Sequence, residues 1–266
     1  MLGMVTTLVD DHTFAADLAE AAGRLLVALR REPPVDADLG AAGDRASHQF
    51  LVDAIRRRHP ADAILSEEAA DDVGRLTATR VWIIDPLDGT REFAEDSRED
   101  WAVHVALWQR GTLAAGAVAL PAQAVVLSTA STVHRPPTSS DGPLRFLVSR
   151  TRPPAIAAYV ARVMSAQLIP MGSAGAKTLA VVLGEADAYI HAGGQYEWDS
   201  AAPAAVAGAA GLHVSRLDGS PLRYNQRDPS LPDLVVCRPG LADALLRTIA
   251  SATGRRAVSE TGWDPL

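Results

Sequence analysis

The sequence is poor in several things at once, and each shortage removes a class of protein. Its 266 residues include one cysteine, Cys237, so no disulfide can close within the chain. That thiol ends the stretch 233–237, which reads as a strand, and a packed core thiol is expected there rather than a nucleophile. No apolar run approaches the roughly 18 residues that a membrane span needs, and the first residues show neither a basic leader nor a small-residue cleavage site. A cytoplasmic protein with no membrane partner is expected. Positive charge is in deficit, 25 Lys plus Arg against 32 Asp plus Glu for a net charge of −7. That balance argues against a nucleic-acid partner, because such surfaces neutralise phosphates with clustered cations. A phosphorylated small molecule stays admissible, since an acidic site can gather divalent cations that bridge to phosphate. Lysine is scarcest, with Lys177 the only one in the chain. It is either a chance survivor of an arginine-favouring composition or a position that needs a compact ammonium on a flexible stem.

What is present is a 48% hydrophobic chain, long enough for one large domain or two packed halves. Apolar positions Phe14, Leu18, Ala21, Ala22, Leu25, Leu26 and Leu29 recur at helical spacing over 10–31, and Pro33-Pro34 ends the pattern. A second helix is expected from an Asp44 cap to His59-Pro60. Short apolar or alternating runs at 63–65, 81–84, 103–109, 113–120 and 124–129 predict strands. The break at Arg110-Gly111-Thr112 predicts a hairpin, hence a partly antiparallel sheet. Residues 131–143, rich in Pro, Ser and Thr, read as a linker, dividing the chain into an α+β half (1–140) and an α/β half (141–266). In the second half strands at 145–149, up to 171, 186–191 and 234–237 alternate with helices at 155–166, 174–184, 200–210 and 241–250. The whole predicts a mixed α/β fold.

The chemistry concentrates in carboxylates. The strand at 81–84 runs into Asp85-Pro86-Leu87-Asp88-Gly89-Thr90, where two acids three positions apart can converge on one hard cation with the Leu87 carbonyl as a further oxygen ligand. The amides of Gly89 and Thr90 could then hold phosphate oxygens. Alone, this run equally describes a turn closed by Asx-type bonds. Two more acidic junctions tip the balance: Ser66-Glu67-Glu68 after a short strand, and Trp198-Asp199 after a glycine-bearing loop and before an alanine-rich helix. Singly, Asp199 would pass for a helix cap and Glu68 for a solvated acid. Three acidic junctions together are what two-metal phosphoryl chemistry requires.

The combination of Glu67-Glu68, Asp85-Pro86-Leu87-Asp88-Gly89-Thr90 and Trp198-Asp199, in this order, resembles the inositol-monophosphatase superfamily. The similarity extends over roughly 10–237, with the segment 38–51 resembling the family's run to an Asp before a helix. The resemblance implies a layered α-β-α-β-α sandwich of the inositol-monophosphatase and fructose-1,6-bisphosphatase type, two or three Mg2+ ions, lithium sensitivity and a homodimer. It implies that Glu67, Asp85 and the Leu87 carbonyl hold one ion, that Asp85, Asp88 and Asp199 hold the second, and that Thr90 with Asp44 activates the attacking water.

Within the superfamily, Gly89-Thr90-Arg91-Glu92-Phe93 and Gly172-Ser173-Ala174-Gly175-Ala176-Lys177 resemble the CysQ type, which removes the 3'-phosphate of adenosine 3',5'-bisphosphate in sulfur assimilation. The resemblance implies that Gly89, Thr90, Arg91, Ser173 and Lys177 bind substrate, the lone lysine serving a second phosphate. An inositol or fructose-bisphosphate phosphatase is the alternative, and a silent metal- or phospholigand-binding protein is the alternative of another class. Gly175-Ala176-Lys177-Thr178 lacks the Gly-Lys pair of a nucleotide-binding loop. His104, His134, His191 and His213 lack zinc spacing and are read as packing or surface residues, and Ser173 has no nucleophile elbow.

Overall fold

Asp10 caps the first helix by accepting the Thr13 amide at 2.7 Å, and α1 (Asp11–Arg31) buries Ala15, Leu18, Ala19, Ala22 and Leu26 on one face. The computed structural model describes residues 10–35, 38–130 and 142–254; most of the expected linker, 131–141, lies outside them. The second helix, α2 (Leu39–Arg58), starts earlier than expected, because Asp38 and not Asp44 supplies the cap, accepting the Ala41 amide at 2.8 Å. Its first turns read as a poor helix, since each glycine costs about 1 kcal/mol relative to alanine. Packing overrides that preference: a Cβ on Gly40 would lie 2.6 Å from Thr90 Cγ2, and one on Gly43 would lie 2.8 Å from the Phe93 ring. Asp44 therefore stands inside the helix, one turn beyond Gly40 on the same face.

The first sheet comprises β1 (Ala63–Ser66), β2 (Arg80–Asp88), β3 (Ala102–Gln109), β4 (Thr112–Leu120) and β5 (Val125–Ser128), in that spatial order. β1 runs parallel to β2, and the rest pair antiparallel. The expected hairpin joins β3 to β4, with Arg110 and Gly111 both at positive φ. A five-residue helix, α3 (Thr90–Ala94), follows β2. The second half supplies β6 (Arg145–Ser149), α4 (Ala155–Val163), β7 (Gln167–Met171), α5 (Ala174–Val182), β8 (Ala188–Tyr196), α6 (Glu197–Ala209), β9 (His213–Ser215), β10 (Ser230–Cys237) and α7 (Pro239–Thr253). Its sheet has the order β7-β6-β8-β10-β9, parallel across β7, β6 and β8 and antiparallel beyond.

Strand alternation stacks the layers. On β2, Trp82 and Ile84 face α1 and α2, whereas Val81 and Ile83 face α5 and α6. On the second sheet, Leu147, Leu234 and Val236 meet the inner faces of α5 and α6, whereas Phe146, Val235 and Cys237 meet α4 and α7. The result is helices, sheet, helices, sheet, helices: the expected sandwich. Every residue of α5 is buried, because the helix lies between two sheets. Two boundaries differ from expectation. β8 continues to Tyr196 through Gly193 and Gly194, both at positive φ beside a bulge against β10, so the pair that reads as a loop is a bent strand. Consequently α6 begins at Glu197, and Asp199 stands at its third position rather than before it. Among the described residues, no helix is long and apolar enough to cross a membrane.

Candidate active site

The acids meet where strands end. Because β1 and β2 are parallel with Ser66 beside Ile84, Glu67 emerges next to Asp85. Asp85 continues the Val81–Ile83 face of β2, so its carboxyl points at α6, where Asp199 waits. A register shift between Asp85 and Asp88, at the Pro86 that cannot donate to the ladder, turns Asp88 toward the same place. Carboxylate oxygens of Asp85, Asp88 and Asp199 all lie within 4.8 Å of one another. Each keeps one oxygen engaged by the protein: the Leu87 amide donates to Asp85 at 3.1 Å, Ser173 Oγ and the Gly175 amide to Asp88 Oδ2 at 2.5 and 2.8 Å, and the Tyr196 amide to Asp199 Oδ2 at 2.5 Å. The Glu67 and Asp85 carboxyls also meet in a side-chain hydrogen bond, and the three aspartates together could hold a cation.

The electrostatics suit one. Burial and the neighbouring Glu67, Asp88 and Asp199 hold Asp85 well above the carboxylate range. Burial and Asp199 raise Glu67, and burial and Asp88 raise Asp199. Burial opposes ionisation of Asp88 too, but the His104 ring, Lys177 and Ser173 outweigh it and hold that acid low. A cluster of oxygen donors with unbalanced negative charge, buried at Asp85 and Asp88, half-buried at Asp199 and open to the surface at Glu67, fits a hard divalent ion.

Thr90 and Asp44 stand beside the cluster. Gly89, at φ +92°, ends the strand and releases the chain into α3, whose first residue is Thr90. Thr90 Oγ1 donates to the Leu87 carbonyl at 3.2 Å. The space cleared by Gly40 lets Thr90 pack on α2, where its hydroxyl also meets Asp44. Burial, with the repulsion of Glu68, pushes the Asp44 acid up to about 7, against the opposing Thr90 bond. Asp44 Oδ1 is buried without a hydrogen-bond partner among the described residues.

These raised acids give the metal-free protein an inverted pH dependence. For Asp44 the folded chain binds the proton more tightly than the unfolded one between about 3.8 and about 7, so stability is full below that window and lost as pH rises through it. Melting temperatures in chelator should therefore fall from pH 5 to pH 7.5. Mg2+ at about 100 times its Kd should add back about 2.7 kcal/mol at pH 7.5. A melting temperature that rises with pH in chelator contradicts this electrostatic account.

A cleft of about 590 Å³ opens over Glu67, Asp88, Thr90, Arg91, Lys177 and Asp199. Arg91 and Arg152 are exposed on its wall and make no side-chain ion pair or hydrogen bond among the described residues. Arg150 is tied to Glu92 and Glu95. Two of the expected substrate ligands are engaged within the protein at the edge of this cleft. Lys177 is not a free ammonium: it is 4% exposed, and its Nζ donates to the carbonyls of Met171, Gly172 and Ser173 at 3.4, 3.0 and 2.5 Å. Ser173 likewise spends its hydroxyl on Asp88 and on capping α5. His104, read from the sequence as packing or surface, faces Asp85 across the β2–β3 register with Nε2 3.2 Å from Asp88 Oδ2, though not aligned as a hydrogen bond. Pairing of β2 with β3 was the signal that could have found it.

A five-layer sandwich with an acidic cluster at its strand ends, opening on a cleft walled by arginines, is an α/β fold whose site could hold a metal ion and, beside it, an anion. Comparison with known proteins agrees. The model of the inositol monophosphatase family matches residues 13–253, and the chain belongs to that family. It is 53% identical over 252 residues, 90% of this chain and 93% of the other, to the 3'-phosphoadenosine 5'-phosphate phosphatase of Mycobacterium leprae. It is 34% identical over 71% of its length to the 3'(2'),5'-bisphosphate nucleotidase CysQ of Escherichia coli, spanning 81% of that protein. Among solved structures, CysQ from Bacteroides thetaiotaomicron superposes with a TM-score of 0.73 at 26% identity, over 84% of this chain and 95% of that one.

Proposed function

We infer that this protein hydrolyses the 3'-phosphate of adenosine 3',5'-bisphosphate, yielding AMP and inorganic phosphate. The observation that carries this reading is the buried Asp85–Asp88–Asp199 cluster beside the Thr90–Asp44 pair, in a chain 53% identical to a phosphatase named for that substrate. Mg2+ is the proposed ion, with Glu67, Asp85 and the Leu87 carbonyl as one ligand set and Asp85, Asp88 and Asp199 as the other. Bound there, Mg2+ would supply a coordinated water of lowered pKa and neutralise charge on the transferring phosphoryl group. Thr90 takes the water's proton and relays it to Asp44, whose raised affinity for a proton suits the task. The amides of Gly89 and Thr90, at the start of α3, would serve as donors to the phosphoryl oxygens. With Lys177 enclosed, Arg91 and Arg152 are the cations left to meet the substrate's second phosphate.

Phosphate release is the test. With Mg2+, turnover of adenosine 3',5'-bisphosphate should exceed that of inositol 1-phosphate and fructose 1,6-bisphosphate, and excess chelator should remove it. A preference for inositol 1-phosphate reverses the substrate assignment.

A further inference from the structure

The chain's single lysine has a role that does not involve the substrate. We propose that Lys177 is a positioning residue: by holding the 171–173 turn it sets Asp88 for metal binding. The proposal rests on the Mg2+ reading above but not on the identity of the substrate.

The path from Lys177 to the metal cluster has two short links. Its ammonium sits under the turn that enters α5, donating to three successive carbonyls, those of Met171, Gly172 and Ser173. An ammonium has three hydrogens, so none remains for a ligand. The Tyr189 ring closes the other side, with Nζ 5.0 Å from its centroid. This support is needed because the turn is held in an unfavourable backbone conformation. Ser173 lies at φ +47°, a region that side-chain-bearing residues rarely enter. In that conformation its hydroxyl reaches Asp88 Oδ2 at 2.5 Å, and the Gly175 amide reaches the same oxygen at 2.8 Å. The turn is fixed from outside as well, the Gly172 amide donating to Asp100 Oδ2 at 2.5 Å.

Both donors take the same oxygen of Asp88, so the carboxylate is held in one orientation beside Asp85 and Asp199. His104 forms the floor, and Gly175 must be glycine there, since a Cβ would fall 2.2 Å from His104 Nε2. A compact ammonium can face three converging carbonyls; a planar guanidinium cannot. In a chain that uses arginine at every other cationic position, this geometry accounts for the one lysine.

The experiment measures Mg2+ binding to the metal-stripped protein by titration calorimetry, together with steady-state kinetics on adenosine 3',5'-bisphosphate and inositol 1-phosphate. Lys177→Met should weaken Mg2+ binding about 10- to 100-fold, the usual effect of removing a partner that orients a metal ligand. It should lower kcat/KM by a similar factor on both substrates at fixed Mg2+. Ser173→Ala, which removes the bond to Asp88 while keeping the lysine, should show the same Mg2+ defect with little change in substrate KM at saturating Mg2+. The two changes combined should be less than additive. Unchanged Mg2+ affinity in Lys177→Met, with a loss confined to KM for the bisphosphate, overturns the proposal and makes Lys177 a phosphate ligand. If Lys177→Met fails to fold, Ser173→Ala decides: unaltered Mg2+ binding in that variant also overturns it. A wild type that prefers inositol 1-phosphate would overturn the substrate assignment alone, leaving the Mg2+ comparison intact.

Discussion

Asp85→Asn is expected to lower turnover by about three orders of magnitude or more while leaving the protein folded. Asp85 is the most enclosed acid of the cluster and shares its space with Glu67, Asp88 and Asp199, and it is the residue common to both proposed ligand sets. If it holds metal in both sets, its removal would forfeit several kcal/mol of transition-state charge stabilisation, and each 1.36 kcal/mol is about a factor of ten. The amide keeps the shape and the oxygen that accepts from the Leu87 amide. It also relieves repulsion among the buried acids, so the metal-free variant should melt higher than metal-free wild type at pH 7.5. The pair of measurements, activity down and chelated stability up, separates loss of a ligand from loss of the fold. Near wild-type turnover in Asp85→Asn would falsify the metal assignment.

Thr90 carries the second large effect. Thr90→Val preserves the methyl that packs against Gly40 and deletes the hydroxyl that meets Leu87 and Asp44. If the hydroxyl relays the proton, kcat should fall by about 10²- to 10⁴-fold at nearly unchanged KM. Thr90→Ser keeps the hydroxyl and should retain measurable turnover. Because Asp44 is the onward acceptor, Asp44→Asn should add little to the Thr90→Val defect. Equal losses in the serine and valine variants would assign Thr90 a packing role instead.

The layers were legible in the sequence where the pattern is periodic. Helical spacing gave α1, and the short apolar runs marked nearly every strand. What escaped was decided by tertiary contact. Gly40 and Gly43 suggest a break before Asp44, and only their closeness to Thr90 and Phe93 shows why the helix runs through them. Gly193 and Gly194 read as a loop because a bend in a strand and a loop use the same residue. β9 is three residues long, too short for any period.

For the site, the acids were legible because they sit at element ends, two of them, Asp85 and Asp88, only three positions apart in the sequence. The surroundings of Lys177 and His104 were not. A lysine that closes on its own backbone and a lysine that awaits a phosphate have the same sequence signature, a glycine-led helix start. A histidine beneath two acids is indistinguishable from a packed one until strand pairing sets it opposite Asp85.

Cys237 lies fully enclosed where β10 meets α4 and α7, and burial pushes its thiol up to about 12. The thiolate that reacts with alkylating reagents is therefore nearly absent from the native state at neutral pH. As the chain's sole sulfhydryl, it gives the unaltered protein an internal clock for opening of the outer helical layer. The rate at which a thiol reagent labels it reports how often that layer parts from the sheet, with no introduced probe and no second site to confuse the signal.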